Sequence, residues 1–174
     1  MNPAFSIQLA TPADADLLVA LGRQTMRESF GADNTEENLN AYLDSTFTPE
    51  KLRDELRDSR VTFYLAKHCN DVLGYVTLNR HRRKPTRLRG KRAVELQRVY
   101  VLQRAQGLGL GRFLMEICLN TARAEGYETV FLGVWEKNYR AQAFYSTLGF
   151  HRCGWHYFQF GSERQRDYWM NLEL

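Results

Sequence analysis

Residues Glu95 to Gly111 read ELQRVYVLQRAQGLGLG, and this stretch restricts the fold of the chain more closely than any other. Val94, Leu96, Val99, Tyr100 and Val101 form an apolar, β-branched run; Gly107, Gly109 and Gly111 follow, and Arg112 to Ala124 then carries a helical apolar period. A strand therefore feeds a glycine turn that opens a helix. Glycines remove the side chains that would keep a ligand off the backbone. The first-turn N–H groups lack intrahelical partners and lie at the positive end of the helix dipole. The product is an anion site suited to a phosphate or pyrophosphate.

Other glycine-rich phosphate loops fit less well. A strand, turn, helix and strand from Glu95 to Trp135 could open a dinucleotide-binding fold, with Glu136 as the ribose-binding acid. Yet the third glycine position falls on Arg112 or Leu114, depending on the starting glycine, so the close helix–strand packing of that motif is missing. No Gly-Lys-Ser/Thr follows Gly107 at the P-loop interval. What the residues spell is Gln106-x-x-Gly109-x-Gly111, with a purely structural tight turn as the plain alternative.

The rest of the chain reads as a series of short elements. Phe5 to Ala10 alternates as a first strand, and Thr11-Pro12 caps a helix with Leu17, Leu18, Leu21, Thr25 and Met26 on one face. Asn34 to Glu37 opens a second helix through Leu39, Tyr42 and Leu43, and Thr48-Pro49-Glu50 a third. Val61 to His68 and Val72 to Asn79 form a hairpin about Asn70-Asp71. After the glycine turn, the helix stops at Gly126, and Thr129 to Trp135 is a strand apolar enough to be buried on both faces. Asn138 to Leu148 is a last helix, and Phe150 to Phe160 with Tyr168 to Leu174 closes a hairpin around GSERQRD.

With 174 residues, 44% hydrophobic, the chain is expected to form one domain over 1–174. No basic-then-apolar leader is present, and no apolar run approaches the roughly 20 residues of a membrane helix, so a cytoplasmic protein is expected, off the membrane. Cys69, Cys118 and Cys153 lack paired close spacing and read as plain reduced thiols, with no metal site. Charge is uneven. Asp33 to Asp58 holds eight acidic residues, whereas Arg80 to Arg92 holds eight basic ones and no acid. That basic segment is a solvated loop or a patch for a polyanion. It carries no aromatic to stack a base, which disfavours nucleic acid.

Gln106-x-x-Gly109-x-Gly111 resembles the coenzyme-A-binding loop of the GNAT family of N-acetyltransferases, Gln/Arg-x-x-Gly-x-Gly/Ala. Downstream, N138-YRAQAF-Y145-STLGF resembles that family's Asn-x-x-Ala, Phe-Tyr and Gly-Phe signature. ELQRVYV is similar to the bacterial branch that acetylates polyamines and other small amines. The resemblance covers about Phe5 to Phe160. It implies an α/β (α+β) GNAT fold: a mixed, mostly antiparallel sheet of about seven strands flanked by helices, splayed between the strands at 94–101 and 129–135.

It also implies site residues. Acetyl-coenzyme A would lay its pyrophosphate on the amides around Gln106, Gly107, Leu108, Gly109, Leu110, Gly111 and Arg112. Its arm would run along Val99, Tyr100 and Val101, near Asn138. A backbone N–H near Val101 would face the developing oxyanion, and Tyr145 would act as the acid for the departing thiolate. From the residues alone, Tyr145 reads first as a half-buried core tyrosine, and Asn138 can be a helix cap only or a cap that also faces the cofactor. Glu95 is the candidate base, directly or through a water, sharing a face with Gln97, Val99 and Val101 by strand alternation, with a surface or salt-bridged glutamate as the equal alternative. Glu28 and Glu36 are candidates for binding a cationic acceptor such as a polyamine. Because no cysteine has the joint His and carboxylate support of a covalent nucleophile, although His151 lies near Cys153, direct attack by the amine is preferred to an acyl-enzyme. A non-catalytic coenzyme-A sensor or regulatory module is the alternative, and the aromatic C-terminal hairpin is either core or the surface of a homodimer.

Overall fold

The structure, a computed structural model, describes residues 5–80 and 84–174. Along the chain run β1 (Ser6–Leu9), α1 (Ala15–Phe30), α2 (Glu36–Thr46), α3 (Pro49–Arg57), β2 (Val61–His68), β3 (Asp71–Asn79) and β4 (Ala93–Val101). Then come α4 (Leu110–Ala124), β5 (Thr129–Trp135), α5 (Tyr139–Thr147), β6 (His151–Phe160) and β7 (Glu163–Glu173). Helix starts fall where the capping residues put them: the Thr35 and Thr48 hydroxyls accept from the N–H groups of Asn38 and Lys51, each at 3.3 Å. No helix among the described residues is long and apolar enough to cross a membrane.

One seven-stranded sheet has the order β1-β2-β3-β4-β5-β7-β6. All its neighbouring strands are antiparallel except β4 and β5, which run parallel and pair only from Ala93 to Glu95 against Thr129 to Phe131. Past that point no pairing joins them, which is the expected splay. Register then separates two faces. Val130, Leu132, Val134 and Met170 pack with Leu114, Met115 and Cys118 of α4 and with Tyr145 of α5. Phe63, Leu65 and Tyr75 pack beneath α1, α2 and α3 on the opposite face, where Phe131 and Trp169 also lie.

A bulge in β4 corrects the expected alternation. Leu78 pairs with Leu96 but Thr77 pairs with Arg98, so Gln97 is an extra residue and the facing inverts after it. Val99 and Val101 consequently join Val94 and Leu96 on the α4 face. Glu95 does not share their face; it points with Phe131, its partner on β5. Two other expectations also change. Leu17, expected on the buried side of α1, is 37% exposed. GSERQRD is mostly strand: β7 begins at Glu163, because Gly161, at φ 59°, makes the hairpin turn tight and the polar residues pair along β6. The aromatic hairpin is divided between inside and outside, with Phe160 buried and Trp155 and Tyr157 each 51% exposed.

Candidate active site

The glycine turn is held from both sides. After Val101, a short 3-10 turn at Gln103–Ala105 leads to Gln106, whose side-chain amide donates to the Val101 carbonyl at 3.1 Å. Glu28 of α1 accepts from the Gln103 N–H at 2.7 Å. Gln106 thus fastens the loop to the strand end, a positioning contact that its place in the motif did not reveal. Gly107 and Gly109 have left-handed φ of 81° and 88°, and a Cβ at either would meet nothing within 4 Å. The space over the start of α4 is therefore open, and Gly109 supplies no side chain to cap that helix. Its first-turn N–H groups are available to an anion. Gly111 has a different task, since a Cβ there would come within 3.3 Å of the Phe144 ring. It lets α5 approach α4.

Two cavities flank the splay. One, of about 760 Å³, is lined by Val99, Tyr100, Val101, Gln106, the three glycines, Arg112, Asn138 and Tyr145. The other, of about 860 Å³, lies between α1–α2 and the β6–β7 hairpin, and its walls include Gln97, Gly133, His156 and Asp167. Val99, Tyr100, Trp135, Asn138, Ala141 and Tyr145 line both. These volumes are of the size that holds a small-molecule ligand. Of the residues expected on the cofactor side, Leu108 and Leu110 line neither cavity. Leu108 is 45% exposed and Leu110 is fully buried under the sheet, so each can serve only through its backbone.

Tyr145 stands at the junction. It is 9% exposed, with its ring 5.4 Å from that of Phe144 and 6.0 Å from that of Phe150. Burial pushes the phenol above its ordinary pKa, so it stays protonated and can donate. Asn138 is the cap of α5, its side-chain oxygen accepting from the Ala141 N–H at 3.1 Å, and it also faces both cavities. Gln142, which motif reading passed over, donates to the carbonyls of Trp135 and Glu136 at 3.0 and 2.9 Å. That pair of bonds fixes α5 against the end of β5.

The remaining expected groups fall elsewhere. Glu95 is 2% exposed and outside both cavity walls, at the last paired position before β4 and β5 part. Glu28 lines the first cavity, and Glu36 opens α2 away from both cavities. In the basic segment, Arg82 and Arg83 are outside the described residues, while Arg80 pairs with Glu125 at 2.6 Å and Lys91 with Glu173 at 2.8 Å. Its described residues line neither cavity; the cations on the first are Arg112, Lys137 and Arg140. Cys118 and Cys153 are buried, and burial pushes both thiols up, away from a reactive thiolate.

Comparison with known proteins identifies the family. An uncharacterized N-acetyltransferase of Lactobacillus delbrueckii subsp. lactis is 29% identical over 97% of this chain and 98% of its own length. One of Mycobacterium bovis is 33% identical over 92% and 98%. In fold, the crystal structure of the PaiA N-acetyltransferase from Thermoplasma acidophilum in complex with coenzyme A matches with a TM-score of 0.81, at 18% identity, over 98% of this chain and 99% of that one. The model of the acetyltransferase (GNAT) family matches residues 24–150, which include the glycine turn and α5. The chain belongs to the acetyltransferase (GNAT) family and is an acetyl-coenzyme-A-dependent N-acetyltransferase.

Proposed function

We propose that this enzyme acetylates a primary amine by direct attack, with the cofactor in the glycine-lined cavity and the amine in the cavity under α1 and α2. The observation that carries this reading is the Tyr145 phenol in the wall common to both. Acetyl-coenzyme A supplies an acetyl group activated as a thioester. The N–H groups from Gly109 to Arg112 hold its pyrophosphate, with Arg112, Lys137 and Arg140 as neighbouring cations. The free edge of Val99 to Val101 offers backbone partners to the pantetheine arm, and an N–H there faces the oxygen on which charge develops. Tyr145 Oη gives its proton to the departing sulfur. Release of coenzyme A tests the reading. Primary amines should accelerate it, and acetyl-coenzyme A that binds while no amine accelerates release would overturn it.

Two substitutions divide the roles. In Gly109→Ala, a Cβ enters the open cradle at a φ of 88°. A loss of stability of about 1 kcal/mol is expected from the left-handed backbone, together with coenzyme A binding weakened about tenfold, or about 1.4 kcal/mol, by calorimetry. Glu95 is the proton acceptor in this reading, reached through water, because it sits on the acceptor face where the strands part. Glu95→Gln should lower kcat/KM for the amine about 10²-fold, with coenzyme A affinity retained. An unchanged kcat/KM removes the assignment.

A further inference from the structure

The acceptor cavity carries a specific charge and shape. Among its described lining residues Asp167 is the one carboxylate, and the one strong cation, Arg98, is bound by both ends of its guanidinium to Glu55. Aromatic rings make up much of the remaining wall. Tyr42 stacks on Phe160 at 4.8 Å and meets Phe158 edge-on at 5.6 Å, while Phe30 packs at 5.8 Å from Trp135. A polyamine has several separated charges and needs several separated carboxylates. Glu28 and Glu36, the acids expected for that purpose, do not line this cavity.

Gly133 locates the charged end. It is exposed in the middle of a strand whose other residues are buried, two residues past the last pair between β4 and β5. A Cβ there would stand 3.3 Å from His156 Nε2, 3.4 Å from the Trp169 ring and 3.8 Å from Asp167 Oδ2. Any side chain would fill the notch in front of these groups. His156 stacks on Trp169 at 3.9 Å and pairs across the strands with Asp167, so the walls of the notch are held in place. A carboxylate has four lone-pair sites, enough for more than one donor.

Resting on the acetyl-transfer reading above, we infer that the acceptor is a primary amine with a single charge carried on an aromatic or apolar body. Its ammonium pairs with Asp167 beside Gly133, and its body lies against Tyr42, Phe158 and Phe160. Ring faces favour both an apolar body and the cationic group next to it. Loss of the ammonium proton, which must precede attack, then occurs at the splay, where Glu95 also lies.

The test compares kcat/KM for 2-phenylethylamine, n-butylamine and spermidine at saturating acetyl-coenzyme A. We expect 2-phenylethylamine to exceed spermidine at least tenfold. Asp167→Asn should raise its KM about tenfold while coenzyme A binding, by calorimetry, stays unchanged. A preference for spermidine, or an Asp167→Asn enzyme with an unaltered KM, overturns this inference and leaves acetyl transfer to amines standing. Turnover of none of the three, with acetyl-coenzyme A bound, overturns it through the reading on which it rests.

Discussion

Tyr145→Phe is expected to lower kcat by about 10²-fold or more, the usual contribution of a positioned general acid, while coenzyme A affinity and folding stay close to those of the parent. The substitution removes one oxygen from a ring already packed between Phe144 and Phe150, so the packing survives. Only the proton for the departing sulfur is lost. Burial, which raises the phenol above its ordinary value near 10, gives this prediction a pH signature. The donor remains protonated throughout the working range, so Tyr145 contributes no alkaline limb to the parent's rate profile below about pH 10. A Tyr145→Phe enzyme with full kcat would show that the junction of the two cavities holds a core tyrosine and nothing more.

The second large effect concerns stability. Arg98 is 6% exposed on the sheet face beneath α3, with its guanidinium over the rings of Phe47 at 5.7 Å and Phe63 at 5.9 Å. Burial alone would lower its pKa, but hydrogen bonding to Glu55 more than offsets this and the net shift is upward. Glu55→Ala leaves that guanidinium buried without its carboxylate. Removing one partner of a buried pair costs about 3–5 kcal/mol, and the lower end applies here because the Glu55 side chain is 29% exposed. Urea denaturation should register the loss. The double variant Glu55→Leu with Arg98→Met should recover most of it, because replacing both partners by apolar groups of similar volume removes the stranded charge.

Local signals in the sequence were enough for most of the architecture. Thr35 and Thr48 cap helices, Gly126 and Gly149 end them with left-handed φ of 75° and 89°, and the apolar run Thr129 to Trp135 is a strand buried between two layers. The two signature stretches both fall on the glycine-lined cavity, with Tyr145 in its wall, because glycine at a helix start and a tyrosine on the face of the next helix are local patterns. Features that depend on pairing were not legible. Gln97 becomes a bulge only in register with β3, which places Glu95 on the other face. GSERQRD has loop composition, yet β6 holds most of it as strand, with Arg164 lying 3.6 Å over the Tyr157 ring. His156 and Asp167 face each other across the β6–β7 hairpin, but Gly133 joins them only because β7 inserts between β5 and β6. No spacing rule links Gly133 to that pair.

Direct transfer requires both substrates on the enzyme at once, one in each cavity, with no covalent acetyl-enzyme between. Initial velocities measured over a grid of acetyl-coenzyme A and amine concentrations test this most directly. Double-reciprocal lines that intersect to the left of the axis are expected, the signature of a ternary complex. Parallel lines, with an acetylated protein detected by mass spectrometry in the absence of amine, would contradict it and place the acetyl group on a side chain of the enzyme.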